Sequence, residues 1–452
     1  MIVEPRAKLG EGVAYSTEDE RHVLNVPAGR LSARSDDPEG FHRWASREWP
    51  GSTPEDFHPR GAYGRYLRSE LAAALEYARD LTGSTLSHTA GRVRRIDLHD
   101  SGRARVGGSG SRRQLLSLED GSAFNASAVV LAIGPPPPSA PAELPVVEGI
   151  FVTPWQPGAL APLDGGTVLL VGNGLTAVDA ALTIGDEAPA TKIVAISRTG
   201  WEPRAHLAPA LAAREAGVSP VVAPPDVPDG PIALDQLEAA IRGHIRASQS
   251  AGYDWRAAFD GLRPIVPALW RRLTVEDQRR FLRDLAREWD VHRHRMAPRV
   301  AARLRALRAA GRFEQRVAGI GGVERHRDGL AVTLRGHAAG NTGTSTVRMR
   351  SSTLREGQLV VQRIINCTGP GMRITAWNDP LVRQLLDEGR AAPDALEMGL
   401  RANDDGAIVS GEGVADPSLF VLGSLRRGEL WESTAVAEIR AQAERIAQRL
   451  AG

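Results

Sequence analysis

A strand that runs into a glycine turn and leaves it as a helix narrows the folds open to this chain more than any other feature. Thr167–Val171 (TVLLV) reads as a strand buried on both faces. Gly172-Asn173-Gly174-Leu175-Thr176-Ala177 follows at once as G-x-G-x-x-A, and Val178-Asp179-Ala180-Ala181-Leu182 continues as a helix. Gly172 permits the tight turn, Gly174 lets a pyrophosphate approach the backbone, and Ala177 lets the helix pack close to the strand. Free N–H groups at the helix N-terminus then face phosphate. A glycine pattern alone is weak evidence. Here the strand before it and the helix after it supply the context that dinucleotide binding requires. The next strand, Lys192–Ser197 (KIVAIS), leads into Arg198. An acidic residue at that place would accept hydrogen bonds from the ribose of NAD. Ser197 and Arg198 suit the 2′-phosphate of NADP instead, so NADPH is the expected nicotinamide cofactor. The competing readings are a plain glycine turn and a solvated arginine.

The rest of the chain sets bounds around this unit. Its 452 residues allow two to three domains at roughly 100–200 residues each. With 42% hydrophobic and 24% charged residues, it can build full cores. It has no apolar run of membrane-spanning length and no signal-peptide pattern at its start, so a cytoplasmic location is expected. Cys367 is the only cysteine, which excludes a disulfide framework and a C-x-x-C redox pair. The net charge of +2 gives no general pull toward nucleic acid or membrane. Lys8 and Lys192 are the only lysines, a bias that fits a GC-rich bacterial genome. His206, His292 and His294 do not make a metal set, because His292 and His294 would point to different sides of a helix. The basic stretch from Arg293 to Arg308 reads as a solvated helix face or part of the NADPH phosphate environment.

Around the glycine unit, a strand ends at Pro5, and a helical spacing runs over Arg65–Thr82. Ala128–Ile133 (AVVLAI) reads as a buried strand stopped by Gly134 and the prolines that follow it. Residues from about Pro203 to Ala310 are mostly helical in pattern, and strand-like runs return at Gly329–Leu334 and Val360–Asn366. Leu419–Leu422, Gly423, a polar loop and a helix from about Thr434 close the chain. Glu4 closes an apolar strand, as does the acidic residue that holds adenosine ribose in a first nucleotide-binding unit, but no glycine loop stands before it in this sequence.

Several runs together resemble a family of bacterial FAD/NAD(P)-binding proteins related to FAD-dependent urate hydroxylase and to the nitrosuccinate-forming aspartate N-monooxygenase. They include Glu4-Pro5-Arg6, Leu24-Asn25-Val26-Pro27-Ala28-Gly29-Arg30, Pro59-Arg60, and Tyr63-Gly64-Arg65-Tyr66-Leu67. Leu131-Ala132-Ile133-Gly134, the glycine turn and Ser197-Arg198-Thr199-Gly200 follow in order. Trp289 to Arg295, Asn366-Cys367-Thr368-Gly369-Pro370 and Leu422 to Ala435 complete the series.

The resemblance implies an α/β chain with two Rossmann-like units, one for FAD and one for NADPH. The expected FAD unit is split between residues 1–160 and 365–452. The NADPH unit covers 161–364, with a helical insertion at about 203–310. Candidate cofactor contacts are Glu4, Asn25, Arg30, Gly134, Gly172, Gly174, Ala177, Ser197, Arg198, Gly423, Trp431, Ser433 and Thr434. Arg60 and Tyr66 are candidates for substrate. The implied activity is a monooxygenase that hydroxylates a small molecule with O2 through a flavin C4a-hydroperoxide. The alternatives are an NADPH:flavin reductase or oxidase that hydroxylates nothing, and a nucleotide-binding protein that has lost FAD affinity. Such a family begins with a strand and a G-x-G-x-x-G loop. This chain reads as starting at the second strand, so it is expected to be truncated, with Met1–Val3 flanking the place of the missing one.

Overall fold

The computed structural model describes residues 1–99, 113–139, 141, 144–207, 222–336 and 357–451. Its largest sheet is built around the glycine unit. Strands β7 (Ile150–Phe151), β8 (Thr167–Val171), β9 (Lys192–Ser197), β10 (Phe313–His326), β11 (Gly329–Gly336), β12 (Gln358–Val361) and β13 (Arg363–Asn366) lie in the order β12-β11-β10-β9-β8-β13-β7. The five strands from β10 to β7 in this order run parallel, and β11 and β12 extend the sheet as an antiparallel edge. Side-chain alternation explains the burial. Val168, Leu170, Ile193 and Ala195 pack on one face, against α4 (Leu175–Glu187) and its neighbours. Leu169, Val171, Val194 and Ile196 pack on the other, and both faces are closed. Strand β13 crosses the expected boundary at residue 364, because Ile365 and Asn366 pair with Leu170 and Val171.

The N-terminal unit is assembled from smaller pieces. Strand β1 (Ile2–Val3) pairs in parallel with β2 (His88–Thr89). Strands β3 (Val93–His99), β4 (Arg113–Leu118) and β5 (Ala123–Ala126) form an antiparallel meander. Strand β6 (Val129–Leu131) pairs in parallel with β15 (Ala415–Val421), whose other neighbour is the antiparallel β14 (Ala407–Val409). The C-terminal segment therefore belongs to the sheet of the N-terminal third. Among the described residues, β1 and β6 each have a single strand partner. Helices α1 (Gly12–Tyr15), α2 (Gly40–Glu48) and α3 (Arg60–Thr82) pack around a core of Phe41, Tyr63 and Tyr66. The second half of α3 carries Tyr77 and Leu81 in solvent.

Between β9 and β10 lie the helices of the insertion. These are α5 (Leu234–Ser250), α6 (Trp255–Gly261), α7 (Val266–Arg272), α8 (Val275–Asp284), α9 (Ala286–Arg293) and α10 (Pro298–Ala309). The first five share a core of Leu262, Trp270 and neighbouring apolar side chains, into which Trp431 reaches from the C-terminal segment, while α10 packs against α4. After β13 come α11 (Pro380–Asp387), α12 (Arg427–Leu430) and α13 (Val436–Ala451). Among the described residues, no helix is long and apolar enough to cross a membrane.

Candidate functional site

Strand β8 lies between β9 and β13, and the chain crosses from it to α4 through the glycine turn. This is the switch region of a doubly wound sheet, where ligands bind beyond the strand ends. Gly172 has a φ of 103°, and a Cβ there would stand 2.8 Å from the carbonyl oxygen of Cys367. Its N–H donates to Ile196 O at 2.8 Å, which ties the turn to the end of β9. Gly174 caps α4 with extended backbone, and among the described residues no side chain bonds to the helix start. Ala177 is buried beneath it.

Two arginines flank this turn. Arg198 is exposed and makes no hydrogen bond or ion pair with a described residue, while Ser197 Oγ accepts from Gly200 N at 3.0 Å. Arg287, from α9, is the residue that sequence reasoning passed over. Its Nη2 donates to Asn173 Oδ1 at 3.2 Å and to Trp201 O at 3.1 Å. Burial draws its pKa below the ordinary guanidinium value. Asn173 is itself buried, and its Nδ2 has no partner. An open glycine backbone, a helix start without a side-chain cap and an amide donor beside the Arg287 guanidinium fit a dinucleotide diphosphate.

The C-terminal segment makes a second polar corner. Gly423 turns the chain with a φ of 76°, and its N–H donates to Gln442 Oε1 at 2.9 Å. Trp431 takes a φ of 58° and is buried, stacked on Trp270 with ring centroids 5.2 Å apart. The Arg427 guanidinium lies 4.6 Å from its ring centroid. The Trp431 Nε1 and Ser433 Oγ atoms are both buried and have no hydrogen-bond partner among the described residues. Buried donors of this kind are rare in folded proteins and mark a place for an absent partner. Thr434 is exposed, and the helix begins at Val436 rather than at Thr434. A cleft of about 100 Å³ opens here between Asp290, His294, Arg427, Trp431, Glu432 and Thr434. Glu432 is fixed at the base, accepting from Trp289 Nε1 at 2.9 Å and pairing with Arg293 at 3.3 Å. These orphaned donors fit a polar cofactor edge. The described residues contain no second glycine loop of the G-x-G-x-x-G kind for a FAD diphosphate.

The N-terminal candidates fare differently. Both carboxylate oxygens of Glu4 are taken by Arg6, which holds its pKa below the usual range. Asn25 offers its backbone oxygen to His206 Nε2 at 2.9 Å. Arg30 pairs with Asp260 at 3.3 Å. Gly134 sits just past β6 with a φ of 75°. Arg60 and Tyr66 are turned inward. Arg60 Nη2 lies 2.9 Å from the buried Asp179 carboxylate, and its Nε donates to Val23 O at 3.2 Å. Tyr66 is wholly buried, its hydroxyl within 3.3 Å of Ser32 Oγ and accepting from Ala33 N at 3.2 Å. A guanidinium taken out of water needs a carboxylate, and α4 supplies one. Burial nevertheless pushes Asp179 up to about 6, against the pull of Arg60.

Beside that pair, His22 joins the N-terminal unit to α4. Its Nδ1 lies 3.0 Å from Thr17 Oγ1 and its Nε2 lies 3.1 Å from Thr183 Oγ1. The Thr183 hydroxyl donates onward to Asp19 at 3.0 Å. Burial draws His22 down to about 4, so the ring is neutral near pH 7. Among the described residues, no cluster of His, Cys, Asp and Glu is arranged to hold a metal.

Comparison with known proteins agrees with this architecture. Residues 1–136 match a family model described as FAD-NAD(P)-binding. No curated protein matches by sequence. Among solved structures, the fold resembles the reduced form of ornithine hydroxylase from Pseudomonas aeruginosa, with a TM-score of 0.56 and 14% identity over 99% of this chain and 91% of that one. It also resembles L-lysine 6-monooxygenase from Pseudomonas syringae, at 0.54 and 16% over 96% and 87%. A third is the ornithine N-hydroxylase of Kutzneria sp. 744 with reduced FAD, NADP+ and L-ornithine, at 0.53 and 16% over 99% and 91%. At these identities the likeness establishes the fold: a mixed α/β chain with the Rossmann-like architecture of FAD/NAD(P)-binding flavoproteins.

Proposed function

We propose that this chain is an FAD- and NADPH-dependent oxidoreductase that hydroxylates a small molecule. The observation that carries the reading is the glycine turn at the switch point of the large sheet, flanked by the unpaired Arg198 and by Arg287. Gly172, Gly174 and Ala177 would admit the dinucleotide diphosphate, and Ser197 and Arg198 would meet the 2′-phosphate. Asn25, Arg30 and Gly134 on one side, and Gly423, Trp431, Ser433 and Thr434 on the other, would border the flavin. When bound, the two cofactors supply hydride transfer and oxygen activation. The protein's share is to hold them, orient a substrate and exclude water. Trp431 Nε1 and Ser433 Oγ are the donors available to a flavin edge.

We further infer that a parallel strand completes the FAD unit against β1 and β6. What supports this is the single strand partner of each, together with the solvent exposure of Met1, Val130 and Ile133. Unpaired apolar edges of this kind are otherwise a liability. The same edges favour a second reading, a nucleotide-binding protein with weak FAD affinity.

Labelled oxygen tests the hydroxylase reading. NADPH oxidation under ¹⁸O2, run with FAD and a panel of amino acids, amines and purines, is expected to speed up with one of them and to place label in its product. Hydrogen peroxide as the only oxygen product with every compound would support an oxidase instead.

A further inference from the structure

Helix α9 serves two places at once. Arg287 reaches the glycine turn, while Glu288, Trp289 and His292 line a cavity of about 500 Å³ closed by α5, α6 and Arg204–Ala205. That volume suits a small organic ligand. The walls are apolar and aromatic: Leu237, Ile241, Ile245, Trp255, Phe259 and Trp289. Trp289 and Phe259 approach with ring centroids 4.7 Å apart, so a planar ring added to the group meets aromatic faces and edges.

The charges in the lining decide what else the ligand carries. Glu238 and Glu288 are both taken by Arg242, at 2.8 and 2.9 Å. Arg256 is held by Asp254 at 3.0 Å and by Ala205 O at 2.8 Å. Arg204 lies 5.6 Å from the Trp201 ring centroid and has no carboxylate among the described residues. Three arginines thus face two glutamates, and neither glutamate is free. An ammonium group entering this cavity meets carboxylates already paired with Arg242, whereas an anion finds Arg204 without a carboxylate among the described residues. His292 Nδ1 donates to Glu288 O at 2.7 Å, and Nε2, which has no partner among the described residues, can meet a polar substituent on the ring.

We propose that this cavity binds an aromatic carboxylic acid, its ring among Trp255, Phe259 and Trp289 and its carboxylate on Arg204. The site goes beyond the redox reading, and its occupancy needs neither FAD nor NADPH.

Three matched probes test it by calorimetry on the full chain: 2-naphthaleneacetate, the neutral 2-naphthaleneethanol and the cationic 2-(2-naphthyl)ethylamine. The acid is expected to bind tightest and the amine weakest, with the acid about tenfold tighter than the alcohol. Arg204→Gln should erase the gap between acid and alcohol and leave the alcohol unchanged. Ile241→Trp, which fills the cavity, should weaken all three at least tenfold while thermal unfolding stays within a few degrees. Should that variant lose stability, Ile245→Trp takes its place. Amine binding as tight as acid binding would overturn the proposal. So would an acid–alcohol gap that survives Arg204→Gln, unaltered binding in the filled cavity, or no saturable binding of the acid. Because no cofactor is present, failure here leaves the hydroxylase reading to its own oxygen-label test.

Discussion

Arg198 stands at the end of β9 with its guanidinium in solvent and no protein partner among the described residues, beside a turn whose backbone is bare. Removing it as Arg198→Ala is expected to weaken NADPH about ten- to a hundredfold, the worth of a charge-assisted contact of about 1.5–3 kcal/mol. NADH should be unaffected, and steady-state kinetics with both cofactors decides the matter; equal losses would refute the assignment. His22 gives a prediction in pH. Its folded pKa of about 4 lies below the ordinary 6.5, so the unfolded chain binds the extra proton between those values. Its contribution is therefore whole above pH 6.5 and lost as pH falls toward 4. Asp179 has the opposite sign, since its raised value of about 6 favours the folded state below 3.8 and ceases to do so above 6. A variant separates the two. The stability advantage of the parent over His22→Gln, from urea unfolding, should shrink by about 2–3 kcal/mol between pH 7 and pH 4. A constant difference would mean that the ring does not titrate as its burial dictates. These neighbours could not be read in the chain order, because Thr183 and Asp179 come from α4, far along the sequence from His22 and Arg60.

At the level of elements, the helical insertion is pinned to its neighbours by charge. Asp260 of α6 takes Arg295 at 2.7 Å on both oxygens and Arg30 at 3.3 Å, while Arg263 and Arg293 meet Glu438 of α13. Arg295 is buried, and the carboxylate holds its charge there. Asp260→Asn would leave that cation without a counter-charge, at a cost of about 3–5 kcal/mol. The expected readout is a lower urea midpoint, with the loss recovered in part when Arg295→Met accompanies it. A midpoint unchanged by Asp260→Asn would show that Arg295 finds water instead. The helical character of this insertion was legible from periodicity, and so was the β8–turn–α4–β9 unit, whose parts are neighbours in sequence. The partners of β8 were not. Strand β13 arrives from nearly two hundred residues later, and nothing local in Arg363–Asn366 says that it lies between β8 and β7.

At the scale of the whole molecule, the N-terminal unit carries the exposed edges. Among the described residues, strands β1 and β6 each pair on one side only, and the outer half of α3 leaves Tyr77 and Leu81 in solvent. If a strand and a G-x-G-x-x-G loop complete the unit as proposed, a chain that carries them is expected to purify yellow and to bind FAD in stoichiometric amount. The 452-residue chain should bind it orders of magnitude more weakly, since each charge-assisted bond to the diphosphate is worth about 1.5–3 kcal/mol. Flavin absorbance after desalting reads the difference, and tight stoichiometric binding by the shorter chain would refute the inference. Chain order alone was enough for the strand–glycine-turn–helix unit, the α/β class and the helical insertion, because glycine turns and hydrophobic periods are set by contacts within a few residues. Only the folded molecule turned Arg60 and Tyr66 inward, brought Arg287 to the glycine turn and buried Trp431 against Trp270. Those contacts join segments far apart in sequence, and the charge or ring that each side chain meets is chosen by packing.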